Sequence, residues 1–306
     1  MELRHIRYFI AAAEEGNLTK AAARLGISQP PLSMQIRDLE DEIGAALFHR
    51  SAHGIHLTEA GAAFLNAVKP IQQRAEDAMK IAKRVANGEQ GQLNIGFTGS
   101  AALNPIVPAS IREFQKYYPH VNLRIEEGNS TILIGKVLKD ELDLVIVTAK
   151  NPVSKDLKIQ HLKDEPLVAV ISQQHRLANQ SITQAFDLQQ LHNDAFIMTP
   201  LSETGMGLYD ALVDACRGVG FEPKIGQHAP QLVSILSLVS ANLGVSLVPE
   251  SSKQLQLSGL KYYNLTEPVP TVALTLAYKT QGPSQCAINF ASVIQSLCHQ
   301  AEDALK

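Results

Sequence analysis

The chain predicts two unlike folds in series: an N-terminal all-α winged helix-turn-helix, followed by an α/β region built from alternating strands and helices. Three features carry that expectation. Apolar residues recur at helical spacing as far as Val85, and the pattern then switches to short apolar runs alternating with amphipathic helices. The polar, glycine-containing stretch Asn87–Gln92, NGEQGQ, separates the two regimes. At 306 residues the chain is also too long for one ordinary domain.

The N-terminal region is organised around Asn17–Glu42, NLTKAAARLGISQPPLSMQIRDLEDE, which reads as two short helices and a tight turn. Thr19 is expected to cap the first helix, Ala21, Ala22 and Leu25 to form its apolar face, and Gly26 to end it in a left-handed turn. Ser28 is expected to cap the second helix. Pro30 and Pro31 are tolerated because first-turn amides have no intrahelical partner to lose. Leu32, Ile36 and Leu39 then face inward, which leaves Gln29, Ser33, Met34, Gln35 and Arg37 outward. Such groups suit the base edges and phosphates of a DNA major groove, although a plain amphipathic helix pair has the same apolar spacing. Before this pair, Met1–Glu14 reads as a helix with Leu3, Ile6, Phe9 and Ile10 on one face. After it, Ile43–Gly61 reads as a wing hairpin.

Glu59–Gly88 predicts one long helix. Phe64, Val68, Ile71, Ala75, Ala78, Ala82 and Val85 keep a single +4, +3 seam, the mark of a coiled coil, with Pro70 expected to kink it. Beyond the hinge, LNIGF (93–97), VNLRIEE (121–127) and LDLVIV (142–147) alternate with helices at 105–117 and 131–139. That order predicts a mainly parallel sheet. Strands at 167–172, 195–198 and 245–249 continue as a second lobe; TVALTLAYK (271–279) and a closing helix at 285–304 follow.

In open α/β folds, ligands sit beyond the carboxyl ends of strands, often at helix starts. Thr98, Gly99 and Ser100 follow the first strand and open a helix. Gly128, Asn129, Ser130 and Thr131 do the same after the second, and Thr148 follows the third. Hydroxyls beside free amides favour a carboxylate. Each site is equally an ordinary N-cap; two at the same lobe edge favour a ligand. Thr199, Pro200, Leu201 and Ser202 leave a strand of the second lobe, and Gly205–Asp210, GMGLYD, opens the next helix. Phe97, Leu103, Ile132 and Leu201 are candidates for an apolar lining.

Taken together, LRHIRYF, LTKAAARLGISQPPLSMQIRDLE, LF-R and LTEAG resemble the N-terminal domain of LysR-type transcriptional regulators over about 60 residues. The resemblance implies a DNA-binding domain at 1–58, a dimerising linker helix at 59–88 and a periplasmic-binding-protein-like effector domain at 89–306. Its first lobe would comprise about 92–161 and 267–306, its second about 162–266, with crossings near His161 and Leu265. It implies DNA contacts at Thr19, Ser28, Gln29, Pro30, Pro31, Ser33, Met34, Gln35, Arg37, Arg50 and His53. Of these, Met34 and His53 stand where the family often has arginine. It implies effector contacts at Gly99, Ser100, Ala101, Asn129, Ser130, Thr148, Thr199, Pro200, Leu201 and Ser202. The GFTGSA version looks like the subgroup governing aromatic-acid breakdown, so the implied effector is a small carboxylate such as an aromatic or muconate-like acid. The implied partners are a two-fold duplex operator, RNA polymerase and further copies of the chain as a dimer of dimers, in an activator or a repressor.

Composition bounds the alternatives. A hydrophobic share of 45% and a charged share of 19% fit a globular protein without a membrane span. Glu2, Arg4 and Arg7 interrupt the apolar run a secretory leader needs. Cys216, Cys286 and Cys298 lack paired or metal-like spacing and read as packed thiols of a reducing cytoplasm. A transport binding protein is therefore disfavoured. His49, His53 and His56 read as wing-tip polar groups rather than metal ligands. No Walker loop, third dinucleotide glycine, cofactor motif or nucleophile elbow is present, which speaks against an enzyme. One count opposes DNA binding: residues 1–58 hold six Lys/Arg against seven Asp/Glu, a net −1. The acids gather at Glu14–Glu15 and Asp38–Glu42, away from the presumed groove face, so few phosphate contacts per subunit are expected.

Overall fold

A computed structural model of the chain describes residues 1–51, 54–148, 154–181, 185–201 and 207–303. The expected positions His53, Ser202 and Gly205 lie outside the described residues. The chain forms two compact units, Met1–Arg84 and Val85–Lys306.

In the first unit, α1 (Leu3–Glu15), α2 (Leu18–Leu25) and α3 (Gln29–Ile43) enclose a core of Phe9, Leu32, Ile36, Leu39 and Leu47, each at most 1% exposed. Two caps differ from expectation. Asn17, not Thr19, caps α2: its Oδ1 accepts the Thr19 and Lys20 amides at 2.9 and 3.1 Å, so Thr19 lies inside the first turn. Asn is as strong a cap as any, and it comes first in the sequence. Ser28 occupies the cap position of α3 in extended backbone, yet its hydroxyl makes no cap bond. A cap side chain accepts from the second or third helical amide, and here those residues are Pro30 and Pro31, which have no N–H. Gly26 ends α2 in the left-handed region, as expected.

The wing is a hairpin of β1 (Phe48–Ser51) and β2 (Gly54–Leu57), with Phe48 opposite Leu57 and His49 opposite His56. Backbone contacts hold it in place. Glu40 Oε1 of α3 accepts the Leu47 and Phe48 amides at 2.8 and 3.1 Å, and the Ile55 amide donates to Gly16 O at 2.9 Å. Helix α4 (Glu59–Ala86) runs unbroken through Pro70. Its seam is divided. Phe64 and Val68 pack into the N-terminal core, with the Phe64 and Phe9 ring centroids 5.0 Å apart, whereas Ile71 and Val85 are exposed.

The second unit has two lobes. In the first, β3 (Gln90–Phe97) lies parallel to both β4 (His120–Glu127) and β5 (Leu144–Thr148). Here α5 (Gly99–Leu103), α6 (Ile106–Tyr117), α7 (Ser130–Leu138) and the closing α10 (Gln285–Asp303) complete the lobe. The sheet is mixed rather than mainly parallel, because β11 (Thr271–Lys279) returns antiparallel between β5 and β6 (Leu157–Ser172). Strand β6 is longer than its apolar half suggests. Residues 157–166 bury only Leu157, Leu162 and Glu165 beside β11, and from Leu167 the same strand pairs with β9 (Ser246–Pro249) and β10 (Leu260–Asn264) of the second lobe. The second lobe also contains β7 (Ala195–Met198) parallel to β8 (Lys224–His228), with α8 (Leu208–Gly218) and α9 (Leu232–Ser240). β8 and β10 carry no sequence signal of the expected kind. β8 is exposed throughout, and β10 is the polar-flanked LKYYN.

Gly61 tests the close approach of α4 to the wing. A Cβ added there would sit 2.1 Å from Leu47 O and 3.1 Å from Leu57 Cδ2. G61A is expected to destabilise the N-terminal unit by about 2 kcal/mol, lowering its thermal midpoint by roughly 10 °C. The helical Gly135, where nothing lies within 4 Å, is the control: G135A should be neutral or mildly stabilising in the same melt.

Candidate ligand cleft and DNA-reading surface

The start of α3 presents a short polar surface. Gln29 Nε2 donates to Ser33 Oγ at 2.7 Å, so its side chain is held one turn along the helix while its carbonyl stays unused. Pro30, Pro31, Met34 and Arg37 are exposed, Met34 to 57%. Gln35 turns instead toward Asp38, at 3.4 Å. Thr19 and Ser28 are exposed on the same helix pair. On the wing, the Arg50 guanidinium lies 3.8 Å from Glu40, the carboxylate that also holds the wing backbone. Several acids that spoil the basic balance are themselves paired. Arg24 binds Glu14 at 2.9 Å and Glu15 at 3.2 Å, and Lys69 lies 3.7 Å from Glu14.

In the second unit, parallel neighbours β3 and β5 end side by side. Thr98 and Ser100, just past β3, and Thr148, the last residue of β5, bring three buried hydroxyls together. Ser100 Oγ lies 3.1 Å from Thr148 Oγ1 and 3.2 Å from Thr98 Oγ1, and the two threonine oxygens are 3.4 Å apart. Thr98 also caps α5 by accepting the Ala101 amide at 3.2 Å, and Asn129 caps α7 by accepting the Ile132 amide at 2.8 Å. These groups form one wall of a cavity of about 470 Å³, within the range that holds small ligands. Gly99, Ser130, Thr131 and Ile132 complete that wall, and Thr199, Pro200 and Leu201 stand on the opposite one.

The far wall also holds Gly207 and Leu208, from the Gly205–Asp210 stretch that opens the next helix, and Pro230, Gln231 and Leu232, which the sequence reading did not include. Gln231 is the cap residue of α9 and makes no side-chain cap bond, so the first amides of α9 face the cleft without an intrahelical partner. The signal was available: a proline and a glutamine precede the apolar run LVSILSLVS. Three expected residues do not line the cavity. Ala101 is 1% exposed behind the hydroxyls. Phe97 packs with the first lobe's core, and Leu103 belongs to the second lobe's core with Leu232 and Ile235. Nearby, Glu126 is paired with Lys136. Gly99 leaves space for its neighbours, since a Cβ there would lie 2.8 Å from Glu127 Oε1 and 3.5 Å from Gln231 Oε1.

The helix-turn-helix pattern of the bacterial regulatory lysR family matches residues 3–62, and the LysR substrate binding domain matches residues 86–298. The chain belongs to the LysR family of transcriptional regulators. It is 37% identical to the uncharacterized HTH-type regulator YnfL of Escherichia coli K12, covering 95% of this chain and 96% of that protein. It is 36% identical to BudR of Raoultella terrigena (91% and 95%) and 34% identical to AlsR of Bacillus subtilis (98% and 97%). Among solved structures, the LysR regulator CbnR shares the fold, with a TM-score of 0.80 at 23% identity over 96% of this chain and 100% of that one. A LysR-family chain is a DNA-binding regulator with a domain for a small effector, and the family is not one of enzymes. Relatives of this chain, BudR and AlsR among them, are mixed and do not single out an aromatic-acid subgroup.

Gln29 and Arg50 should separate base reading from phosphate contact. Q29A is expected to lose about 1–3 kcal/mol of discrimination between operator and mutated operator. R50A should weaken all duplexes about equally, in gel-shift titrations against both sequences. Equal sequence dependence for the two variants would refute that division.

Proposed function

We propose that the cleft admits a small carboxylic acid whose binding resets how this LysR-family regulator engages a two-fold operator. The observation that carries the reading is the cluster of Thr98, Ser100 and Thr148 hydroxyls facing the uncapped start of α9 across one cavity. Hydroxyl donors and helix-start amides favour an anion, while Ile132, Pro200, Leu201, Leu208 and Leu232 accept an apolar body such as an aromatic ring. Gly99, Ser100, Asn129, Ser130, Thr148, Thr199, Pro200 and Leu201 are the contacts we assign. Gln29, Pro30, Pro31, Ser33, Met34, Arg37 and Arg50 are the DNA contacts. The exposed seam residues Ile71 and Val85 of α4 support pairing of subunits through that helix, as half-site spacing requires. A dimer of dimers in the cytoplasm that acts on RNA polymerase completes the reading. CbnR, a protein of the same fold, has been crystallised with its target DNA.

Two measurements test it. Thermal unfolding across aromatic monoacids, muconate-like diacids and short aliphatic acids should find one class that stabilises the protein, by about 2.7 kcal/mol at a hundredfold excess over Kd. S100A and S130A should each abolish that shift and leave operator affinity intact; unchanged shifts in both would remove the site. With few phosphate contacts per subunit, the plot of log K against log salt should be shallower than about −8, and a steeper slope would contradict the contact estimate.

A further inference from the structure

Helix α5 belongs to both lobes. Its first residues carry the cleft hydroxyls, and Ala101 is buried in the first lobe's core. Leu103, two residues on, is packed in the second lobe's core. Asn104 follows, 3% exposed, and its Nδ2 donates to Glu165 Oε2 at 2.7 Å. Glu165 lies on β6 opposite Val272, two residues before the strand changes lobes at Leu167. Its other oxygen, Oε1, accepts the amide of Ser251 at 2.7 Å, in the 3-10 turn Glu250–Leu255 that leaves β9 of the second lobe. Glu165 is 6% exposed, so this carboxylate depends on both bonds in place of water. The second crossing is adjacent, where the Leu167 amide donates to Pro270 O at 2.8 Å.

We infer that Asn104, Glu165 and the Ser251 amide form a buried latch that fixes the angle between the lobes and passes any movement of α5 to the second lobe. Glu165 is a positioning residue in this device. A ligand pulling on Thr98 or Ser100 moves a five-residue helix whose far end is bonded to the hinge. The latch has two partners of fixed polarity. Asn104 Oδ1 accepts the Ile106 amide at 3.2 Å, which obliges Nδ2 to face Glu165. Glutamine at 165 would keep an acceptor for Ser251 and turn an NH2 group onto the Asn104 NH2 group, so one bond is lost to donor–donor contact. An exchanged pair, Asp at 104 with Gln at 165, restores an acceptor at both points and conserves the charge. The inference relies on the small-acid reading only for what pulls on α5.

Pulsed electron resonance between spin labels on K139C, in the first lobe, and A241C, in the second, with Cys298 replaced by serine and the labelled chains diluted into excess unlabelled protein, reads the angle within one subunit of the full chain without ligand. The parent should give one interlobe distance. E165Q and N104A should each lose that single population in favour of a broader or second one, and N104D/E165Q should regain it. If E165Q does not fold, N104A carries the same expectation. A parent-like distribution in E165Q or in N104A overturns the latch, as does an exchanged pair that folds without regaining the single distance. Failure of the small-acid reading would appear as no thermal shift with any acid and would leave these distances unchanged.

Discussion

Three hydroxyls share one small space where β3 and β5 end, and the ligand cleft depends on how they share it. Thr98, Ser100 and Thr148 bring three protons to three oxygen–oxygen contacts, while Thr98 also accepts the Ala101 amide. Each hydroxyl has one proton and two acceptor sites, so the cluster satisfies itself when empty. A carboxylate replaces an internal acceptor with a better one, at the expense of turning at least one O–H outward; an apolar molecule offers no such exchange. The cluster exists because the sheet places β3 and β5 side by side in parallel, with Phe97 opposite Ile146. Fold and ligand class are thereby tied at one point.

The DNA-reading end is built by a similar economy of backbone groups. Pro30 and Pro31 remove the amides that Ser28 would otherwise cap, which leaves that hydroxyl unspent at the presented helix start. Ser33 holds Gln29 in one orientation. Glu40 does two things at once, bonding the wing backbone and lying against Arg50, so the position of the wing and of its cation have the same origin. Gly61 permits the approach that brings α4 under this arrangement. Glu14 and Glu15 lie against Arg24 and Glu40 against Arg50, so these pairs neutralise acid and cation alike and leave the net −1 of residues 1–58 as it stands.

Much of this was legible in the amino-acid sequence, and the exceptions have physical causes. The helix pair, wing, long helix and the first lobe's strands follow from apolar periodicity. The openings of α5 and α7 follow from hydroxyl and amide residues at strand ends. Asn17 took the cap from Thr19 because two good cap residues stood two apart and only the chain path decides between them. The polar half of β6, and the strands β8 and β10, are held by neighbouring strands rather than by their own apolar pattern. Gln231 and Leu232 escaped notice because their contribution is a helix start without a capping side chain. Leu103 has the apolar character of a cleft lining, whereas α5 spans the lobes and packs it against the opposite core.

The cleft and the operator, on the function we propose, are thermodynamically linked, and linkage is reciprocal. Calorimetric titration of the most stabilising acid into the free protein and into its complex with the promoter fragment beside its own gene gives two dissociation constants. Their ratio should equal the factor by which saturating acid changes operator affinity, measured independently by gel shift. Equal acid affinity for free and DNA-bound protein would contradict the account, however tightly the acid is held.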